Sequence, residues 1–413
     1  MRPLRVLHVT QGYFPAIGGT ERLVQRLSEE LVRQFGDEVT VFTTNCYSGE
    51  GFNRPRLPRM PVGTEERGGV RVRRFPVRAR LSRLLERPQS LAYRHRLALS
   101  QYLRTAYQGP IVPGLGRAIR AQPADVVAAT SFPLLHMATA LRAAEASGRP
   151  CVFYGGLHPD DDWGFGRPWI YAAMQRAARY VAYTRFEADF VRSRGVDAER
   201  VRVIPLGVDA ERFGGVGREA ARRRLGLPAD APVVGFVGQL GLHKGVDTLL
   251  EAMPLVWRSR PETRLMIAGA RAVFAGEIDR VVAGWPGRWR EQTLLRYGFD
   301  ESEKPALYAA LDVFTYPSGY ESFGIAFLEA WASGLPVVGC RRGAIPDVVD
   351  AGRDGLLVPY TNEELLARAI VTLLDSPGWR RSLGEAGRRK VLAGLTWDRV
   401  ARRFREALAG PYG

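Results

Sequence analysis

Short apolar runs alternate along the chain with longer segments in which apolar residues recur every three or four positions. Runs of this length predict buried strands, and the three-to-four periodicity predicts helices. The strands are predicted at Leu4–Val9, Glu38–Thr43, Asp125–Ala129, Cys151–Tyr154, Tyr180–Thr184, Val233–Gly238, Arg264–Ala268, Leu294–Tyr297 and Asp312–Tyr316. Helices are predicted at about 20–34, 134–146, 245–257, 324–333 and 362–374. Strands and helices in alternation indicate an α/β protein with doubly wound parallel sheets.

The length of the chain indicates two domains. A chain of 413 residues is longer than one typical core requires, and two domains of about 200 residues each are expected. Hydrophobic residues make up 46% and charged residues 25%, as in ordinary globular proteins. The polar, glycine- and proline-broken segment 210–231 is predicted to be a linker.

Cysteine usage and the first residues bear on localisation. The three cysteines, Cys46, Cys151 and Cys340, are far apart and odd in number, so neither a disulfide framework nor a metal-ligand spacing is predicted. The N-terminus passes into a strand rather than a cleavable signal peptide, and no uncharged apolar run approaches the ~20 residues that span a bilayer. A cytoplasmic location is therefore expected, with the inner membrane face as a further candidate.

Positive charge is concentrated in one segment. The formal net charge is +16, and residues 54–104 hold 14 Arg and 3 Glu, a net charge of +11. Amphipathic helices are predicted there around Leu81–Leu85 and Leu91–Leu103, split by Pro88. Three interpretations stay open: residues 71–104 lie on an anionic membrane, they bind an acidic acceptor, or they form a solvated face. Because no basic–aromatic ladder is present, nucleic acid is not an expected partner.

Residues 312–338 carry the strongest chemical signal. A predicted strand ends at Tyr316, and a helix begins near Gly324. Ligands of parallel α/β sheets sit beyond the carboxyl ends of strands, beside the amides that open the next helix. Glu321 and Glu329 lie there, and eight helical residues would separate them by ~12 Å. They could hold the two ends of an extended ligand, with the amides of Ser322, Phe323 and Gly324 on anionic groups between them. A sugar nucleotide has this layout.

The same residues resemble a known signature. The elements Pro317–Ser318, Glu321–Gly324, Glu329–Ala330 and Gly334–Val338 resemble the E-x7-E signature of retaining glycosyltransferases of family 4, which have the GT-B fold. Ser322 replaces a glycine of the family pattern. Further matches occur at 201–209, where Leu206 replaces Asn, at 343–347, where Asp347 replaces Glu, and at 354–359. The alternative for the two glutamates is a solvent-facing helix surface.

The resemblance implies a GT-B architecture of two Rossmann-like domains facing a cleft. It implies an acceptor-side domain at 1–208, joined by a C-terminal helix at about 397–413, and a nucleotide-sugar-binding domain at 209–396. The implied activity is retaining transfer of a sugar from a nucleotide donor to an acceptor hydroxyl on a glycan or lipid-linked glycan. Two alternatives remain, namely a sugar-nucleotide epimerase on the same fold and a non-catalytic binder of sugar nucleotides or membranes.

The resemblance also implies roles for the donor-domain residues. Glu329 would hold the ribose and Glu321 the donor sugar, while Lys244 and the amides of Ser322, Phe323 and Gly324 would hold the diphosphate. Gln239 is a candidate donor-binding residue that stands where the family has an arginine that helps to neutralise the diphosphate; glutamine donates hydrogen bonds but brings no charge. Three alternatives stay open: another cation (His243 or an arginine of the first domain) substitutes, activity is weak, or the donor is unusual. An exposed loop lysine is the structural alternative for Lys244.

In the first domain, Gly18 and Gly19 resemble a family loop that approaches the donor or the acceptor, and His158 resembles a histidine that contacts the donor. A plain tight turn and a loop histidine bonded to local backbone are the alternatives. Glu321, His158 and Lys244 are the candidate catalytic residues. The run Asp160–Asp162 is not interpreted as a D-x-D metal motif, because the metal role of that motif needs a separate context and the family that the chain resembles generally works without it. Neither a metal nor another cofactor is expected.

Overall fold

The chain folds as two compact units. The computed structural model describes residues 2–16, 18–270 and 274–410. The first unit runs as far as Leu206 and takes in the chain from Trp397 onward, and the second unit is Gly207–Thr396. Each unit has its own largely parallel sheet flanked by helices. The predicted α/β class with two doubly wound domains is confirmed.

The first unit is built on an eight-stranded sheet within residues 2–16 and 18–206. Its strands are β1 (Arg5–Val9), β2 (Glu38–Thr44), β3 (Gly63–Arg67), β4 (Val70–Phe75), β5 (Val126–Thr130), β6 (Cys151–Tyr154), β7 (Arg179–Ala182) and β8 (Val201–Val203). Their order is β3-β4-β2-β1-β5-β6-β7-β8, and only β3 runs antiparallel to its neighbour. Every residue of β5 and β6 is buried, because helices cover both faces of a parallel sheet.

The helices of this unit connect the strands. They are α1 (Gly19–Phe35), α2 (Ala79–Leu84), α3 (Glu86–Arg94), α4 (Ser100–Gln108), α5 (Leu115–Ala121), α6 (Leu135–Glu145), α7 (Asp162–Phe165), α8 (Pro168–Arg176) and α9 (Arg185–Ser193). Two expectations were wrong here. The basic segment divides at Leu85, because Pro88 lies in the first turn of α3, where a missing amide hydrogen costs no helical bond. The predicted helix Leu91–Leu103 is interrupted at 95–99, between α3 and α4.

The second unit has a six-stranded parallel sheet in the order β11-β10-β9-β12-β13-β14. The strands are β9 (Val233–Val237), β10 (Arg264–Gly269), β11 (Thr293–Tyr297), β12 (Val313–Tyr316), β13 (Val337–Cys340) and β14 (Gly355–Val358). The helices are α10 (Ala210–Gly214), α11 (Arg218–Leu225), α12 (Val246–Ser259), α13 (Ala275–Ala283), α14 (Gly287–Glu291), α15 (Lys304–Ala309), α16 (Ile325–Ala332), α17 (Ile345–Val348), α18 (Glu363–Asp375) and α19 (Pro377–Gly394).

The predicted linker 210–231 is wrong over most of its length. It contains α10 and α11, and Phe213 of α10 is 1% exposed. Arg222 of α11 is equally buried, and its guanidinium donates to Asp312 Oδ2 at 2.7 Å and to the Ala310 carbonyl at 3.0 Å. The charge of Arg222 is tolerated inside the unit because this buried carboxylate compensates it.

The last helix, α20 (Trp397–Ala409), belongs to the first unit. Its Arg405 donates to both carboxylate oxygens of the buried Asp37, at 2.9 and 3.0 Å, and Phe404 stacks on His8 with ring centroids 6.2 Å apart. A helix was predicted at about 397–413, and positions 411–413 lie outside the described residues. Among the described helices, none combines the length and the apolar character that crossing a bilayer requires.

Two buried histidines make the first unit sensitive to acid. Burial lowers the pKa of His8 to about 3 and that of His136 to about 4. Between pH 6.5 and its folded-state pKa, each histidine is protonated in the unfolded chain and neutral in the folded one. The free energy of unfolding therefore falls as pH falls. We expect each histidine to contribute a loss of about 1.4 kcal/mol per pH unit in that window.

The expectation is tested by chemical denaturation of the protein and of His136→Gln between pH 6.5 and 4.5. Glutamine keeps a donor for the Thr130 carbonyl, which accepts from His136 Nε2 at 2.8 Å, but it does not titrate. The variant should show a shallower dependence of the free energy of unfolding on pH. The same slope in both proteins would contradict a buried, neutral His136.

Candidate functional site

The candidate site of the second unit lies where the strand order of its sheet reverses. Successive strands proceed from β9 to β10 and β11 on one side, and from β12 to β13 and β14 on the other. Such a switch point leaves an open crevice at the carboxyl ends of the two central strands. The loop after β9 carries Lys244, and the loop after β12 carries Glu321.

Backbone contacts hold these two loops together. The Gly319 amide and the Ser318 hydroxyl both donate to the His243 carbonyl, at 2.9 and 3.0 Å. Gly245 has φ +72°, and a Cβ at this position would lie 2.1 Å from the Pro317 carbonyl oxygen. Only glycine fits this conformation and this close approach. The Lys244–Gly245 pair in the sequence is thus explained by the joining of two loops.

Lys244 and Glu321 form a short ion pair. Lys244 Nζ lies 2.6 Å from Glu321 Oε1 and 3.4 Å from the Tyr320 carbonyl oxygen, and the two side chains are only 14% and 10% exposed. Tyr316, at the end of β12, is buried, and burial together with the charge of Glu321 raises the pKa of its hydroxyl well above the ordinary value. The Tyr316 hydroxyl therefore stays protonated and can act as a hydrogen-bond donor. The sequence analysis did not single it out.

The amides of Ser322, Phe323 and Gly324 lead directly into α16. In the described part of the chain, none of these three amides has a hydrogen-bond acceptor. Gly324 has φ +91° and precedes the first helical residue, Ile325. Amides at a helix N-terminus carry partial positive charge, so this turn can bind an anionic oxygen.

Glu329 lies inside α16 and is 2% exposed. Its Oε1 accepts from Lys304 Nζ at 2.7 Å, and its Oε2 accepts from the Tyr308 hydroxyl at 2.9 Å. Glu321 and Glu329 thus pair with different lysines. The helical spacing assumed for them was wrong, because α16 begins only at Ile325 and Glu321 lies in the preceding loop. The partners Lys304 and Tyr308, from α15, were not found from the sequence.

Gln239 lies in the loop after β9 and is exposed. A cation that the sequence analysis passed over lies at the carboxyl end of β13. Arg342 stacks on Tyr320 and Tyr360, with its guanidinium carbon 5.0 and 4.8 Å from the ring centroids. Since the Tyr320 carbonyl accepts from Lys244, Arg342 and Lys244 are joined through one residue.

In the first unit, Gly18 and Gly19 open α1 at the end of the loop after β1. The Glu21 carboxylate fills the space beside Gly18, where a Cβ would lie 2.2 Å from Oε2, so packing within the loop accounts for this glycine. A Cβ on Gly19 would meet nothing within 4 Å. Packing against the described residues therefore does not explain Gly19, and its role toward a ligand stays a prediction.

His158 follows β6, and its ring lies edge-on to Phe165 with centroids 5.9 Å apart. The backbone before it is held by Glu187 of α9, which was not found from the sequence. One Glu187 oxygen accepts from the Gly156 and Leu157 amides, at 2.9 and 3.0 Å, and from the Tyr180 hydroxyl at 2.6 Å. The other accepts from the Tyr183 amide at 2.7 Å. Burial raises the pKa of Glu187, and these donors act in the opposite direction.

The acidic run after His158 has a structural explanation. Asp161 accepts from the Gly164 amide at 2.9 Å and so caps α7. No group of three or more His, Cys, Asp or Glu side chains in residues 2–16, 18–270 and 274–410 has the geometry to hold a metal ion.

Comparison with known proteins matches both halves of the chain to glycosyltransferase families. Residues 217–390 match the family described as glycosyl transferases group 1, and residues 18–207 match the glycosyl transferase 4-like domain. The two matches together span most of the chain.

Individual relatives agree with these matches. The chain is 28% identical, over 98% of both chains, to the GDP-mannose-dependent alpha-(1-6)-phosphatidylinositol monomannoside mannosyltransferase of Mycolicibacterium smegmatis. It is 33% identical to the D-inositol 3-phosphate glycosyltransferase of Xylanimonas cellulosilytica, over 65% of this chain and 64% of that one. Among solved structures, Anabaena Alr3699/HepE in complex with UDP and glucose superposes with a TM-score of 0.74 at 18% identity, covering 98% of this chain and 99% of that chain. The two sheets and this likeness confirm the GT-B fold.

Glu187→Ala tests the anchoring of the His158 loop. Alanine removes the acceptor of the Gly156, Leu157 and Tyr183 amides, and we expect a loss of about 3 kcal/mol in the free energy of unfolding of the first unit. Amide hydrogen exchange at Gly156 and Leu157 should also accelerate. The control is Glu199→Ala, at an exposed glutamate of the same unit, which should leave both quantities unchanged. Unaltered exchange at Gly156 and Leu157 would show that Glu187 does not hold the loop.

Proposed function

Since the chain belongs to the group 1 glycosyltransferases of family 4, with the GT-B fold, we propose that it is a retaining mannosyltransferase that uses GDP-mannose and acts on a phosphorylated lipid-linked acceptor. That the protein is a glycosyltransferase with a nucleotide-sugar donor follows from its relatives. GDP-mannose and the lipid-linked acceptor are proposed because the Mycolicibacterium relative, matched along 98% of both chains, is named for them. The relatives give no support to the epimerase alternative.

The observation that carries the proposal is the Lys244–Glu321 pair beside three amides without acceptors. A diphosphate placed there would accept hydrogen bonds from the Ser322–Gly324 turn and from Lys244, whose ammonium has three donors and can keep its contact with Glu321. The remaining Glu321 oxygen would accept from hydroxyl groups of the donor sugar. The contacts of the diphosphate with the Lys244 ammonium and the turn amides strengthen as the diphosphate gains negative charge during bond cleavage.

Two further residues complete the donor site in this proposal. Glu329 accepts from the ribose hydroxyls, because a carboxylate has about four acceptor positions and two of them are used by Lys304 and Tyr308. Arg342 supplies the positive charge that Gln239 does not, since it lies next to Tyr320, whose carbonyl bonds Lys244. An arginine can bind phosphate oxygens through two parallel hydrogen bonds.

Retention of configuration is proposed through same-face attack. The departing phosphate would take the proton of the acceptor hydroxyl while Lys244 and the turn amides hold its charge. His158 and the Gly18–Gly19 loop remain the proposed contributors of the first unit. Their role as ligand contacts stays a prediction.

The surface of α2–α4 supports contact with an anionic membrane. Leu84, Leu91, Leu99 and Tyr102 are 73%, 57%, 50% and 58% exposed. The arginines that surround them are also exposed, and Glu86 is the single carboxylate of the segment 78–104: Arg78, Arg80, Arg83, Arg87, Arg94 and Arg96. Apolar side chains among cations are typical of surfaces that lie on anionic lipid. Two arginines of the basic segment, Arg74 and Arg104, are instead buried.

Thermal stability against UDP-, GDP-, ADP- and dTDP-sugars tests the donor site. We expect GDP-mannose to stabilise the protein by about 2.7 kcal/mol at a hundredfold excess over Kd. Lys244→Met, Arg342→Leu and Glu329→Gln should each weaken binding by about tenfold, because each removes a charged hydrogen-bonding group.

Arg389→Met and Glu364→Gln are the matched controls, since both residues are exposed on helices of the same unit. They should bind GDP-mannose like the unaltered protein. If no nucleotide sugar shifts the unaltered protein, the donor site is misassigned; a selective shift by another nucleotide would replace GDP-mannose.

Vesicle co-sedimentation tests the membrane surface. We expect binding to vesicles that contain phosphatidylglycerol, no binding to pure phosphatidylcholine, and weakening as salt is raised. Leu84→Ser with Leu91→Ser should reduce binding by about tenfold, since both leucines would enter the interface. Leu392→Ser, at a leucine 48% exposed on α19, is the control. Equal binding by all three proteins would exclude this surface.

A further inference from the structure

Two adjoining cavities lie in the first unit between the loop 53–57 and helices α2 and α3. Their volumes are about 460 and 690 Å³, and they share Pro55, Arg56, Arg83 and Glu86 as lining residues. Three more arginines line one or the other: Arg54, Arg80 and Arg87. We call the two cavities together the arginine groove. Its size lies in the range of small-molecule sites.

The charges of the arginine groove are largely uncompensated. Arg54 pairs with Glu50 at 2.7 Å, but Arg56, Arg80, Arg83 and Arg87 have no ion pair within residues 2–16, 18–270 and 274–410. Arg80 and Arg83 lie three positions apart on α2, so they share one face of that helix, where like charges repel. Arg87 lies on α3 and lines the same cavity as these two. The convergence of these charges on one cavity indicates an anionic occupant.

The backbone on both sides of the arginine groove is anchored by hydrogen bonds or by buried side chains. Arg59 donates to the carbonyls of Gly51 and Arg54, at 2.5 and 3.3 Å, and so fixes the start of the loop. On the helical side, Ala79 and Ser82 are buried, which turns Arg80 and Arg83 outward. The guanidinium groups therefore project from anchored backbone, as binding of a ligand in one orientation requires.

We propose that the arginine groove binds a phosphorylated polyol, and that this is the headgroup of the acceptor; the second part rests on the proposed function. Guanidinium groups match phosphate oxygens through paired hydrogen bonds, which accounts for Arg56 and Arg83. Glu86 is the carboxylate at the same lining, and a carboxylate accepts hydrogen bonds from hydroxyl groups. A phosphate alone would leave most of the 460 Å³ cavity empty, whereas a polyol phosphate fills more of it.

Calorimetric titration with glycerol 3-phosphate tests the site directly, with equal ionic strength of chloride as background. Arg56→Ala with Arg83→Ala should weaken binding by about a hundredfold, about tenfold for each charged hydrogen-bonding group removed. The control is Arg117→Ala with Arg120→Ala, which removes the same charge from exposed positions of α5 in the same unit. An equal loss of affinity in both double variants would show that binding depends only on net charge, and it would overturn the proposal.

A second arm distinguishes a lipid headgroup from a soluble phosphate ester. If glycerol 3-phosphate does not bind, vesicles with phosphatidylinositol are compared with vesicles of equal charge that carry phosphatidylserine. A preference for phosphatidylinositol that is lost in Arg56→Ala/Arg83→Ala and kept in the α5 control supports the groove as a lipid-headgroup site. No binding in either arm, or no dependence on Arg56 and Arg83, overturns it.

Donor binding separates the two proposals. Arg56→Ala/Arg83→Ala should keep the thermal shift with GDP-mannose, because the groove shares no lining residue with the proposed donor site. A protein that binds glycerol 3-phosphate but no nucleotide sugar would refute the proposed function and leave the groove standing. A protein that binds the donor but shows no phosphate binding that depends on Arg56 and Arg83 would refute the groove proposal and leave the proposed function standing.

Discussion

The adjacency of β9 and β12 in a parallel sheet is the constraint on which the candidate donor site depends. Parallel strands deliver their following loops to the same edge, and here the two loops approach so closely that Gly245 lies against the Pro317 carbonyl. The hydrogen bonds from Ser318 and Gly319 to His243 then set the distance at which Lys244 reaches Glu321. The Lys244–Glu321 ion pair is thus a consequence of how the two loops pack. Because the backbone fixes this packing, the pair is in place before any ligand binds.

Most strands and the principal candidate residues of the donor site could be predicted from the sequence, for a physical reason. Strands buried on both faces are continuous apolar runs, so β5, β6, β9 and β12 stand out in the chain. Lys244 and Glu321 could be singled out as candidates because they lie in the loops that follow two such strands, β9 and β12. Glu187 could not, since it lies on the first turn of α9 and its partners are backbone amides, which leave no trace in side-chain patterns. The pairing of Lys304 with Glu329 likewise depends on how α15 packs on α16.

Arginine content alone does not reveal which arginines are structural. Arg104 and Arg167 are 3% and 0% exposed, and both donate to the Trp163 carbonyl. Burial lowers the pKa of Arg167 to about 9. Arg83 belongs to the same basic half of the chain but faces a cavity. The difference arises from the direction of each side chain on its helix, which composition and net charge do not contain, and so the basic segment could be given only open alternatives from sequence.

The return of α20 to the first unit has a consequence for the order of synthesis. Residues 207–396 form one uninterrupted unit, so all of their contacts become possible as soon as that stretch has left the ribosome. The first unit, although its sheet is made earlier, keeps Asp37 without Arg405 and the His8 ring without Phe404 until α20, which follows the whole second unit, has been translated. The nascent first unit therefore lacks these two contacts while the second unit is synthesised, and the unit that is begun first is completed after the other.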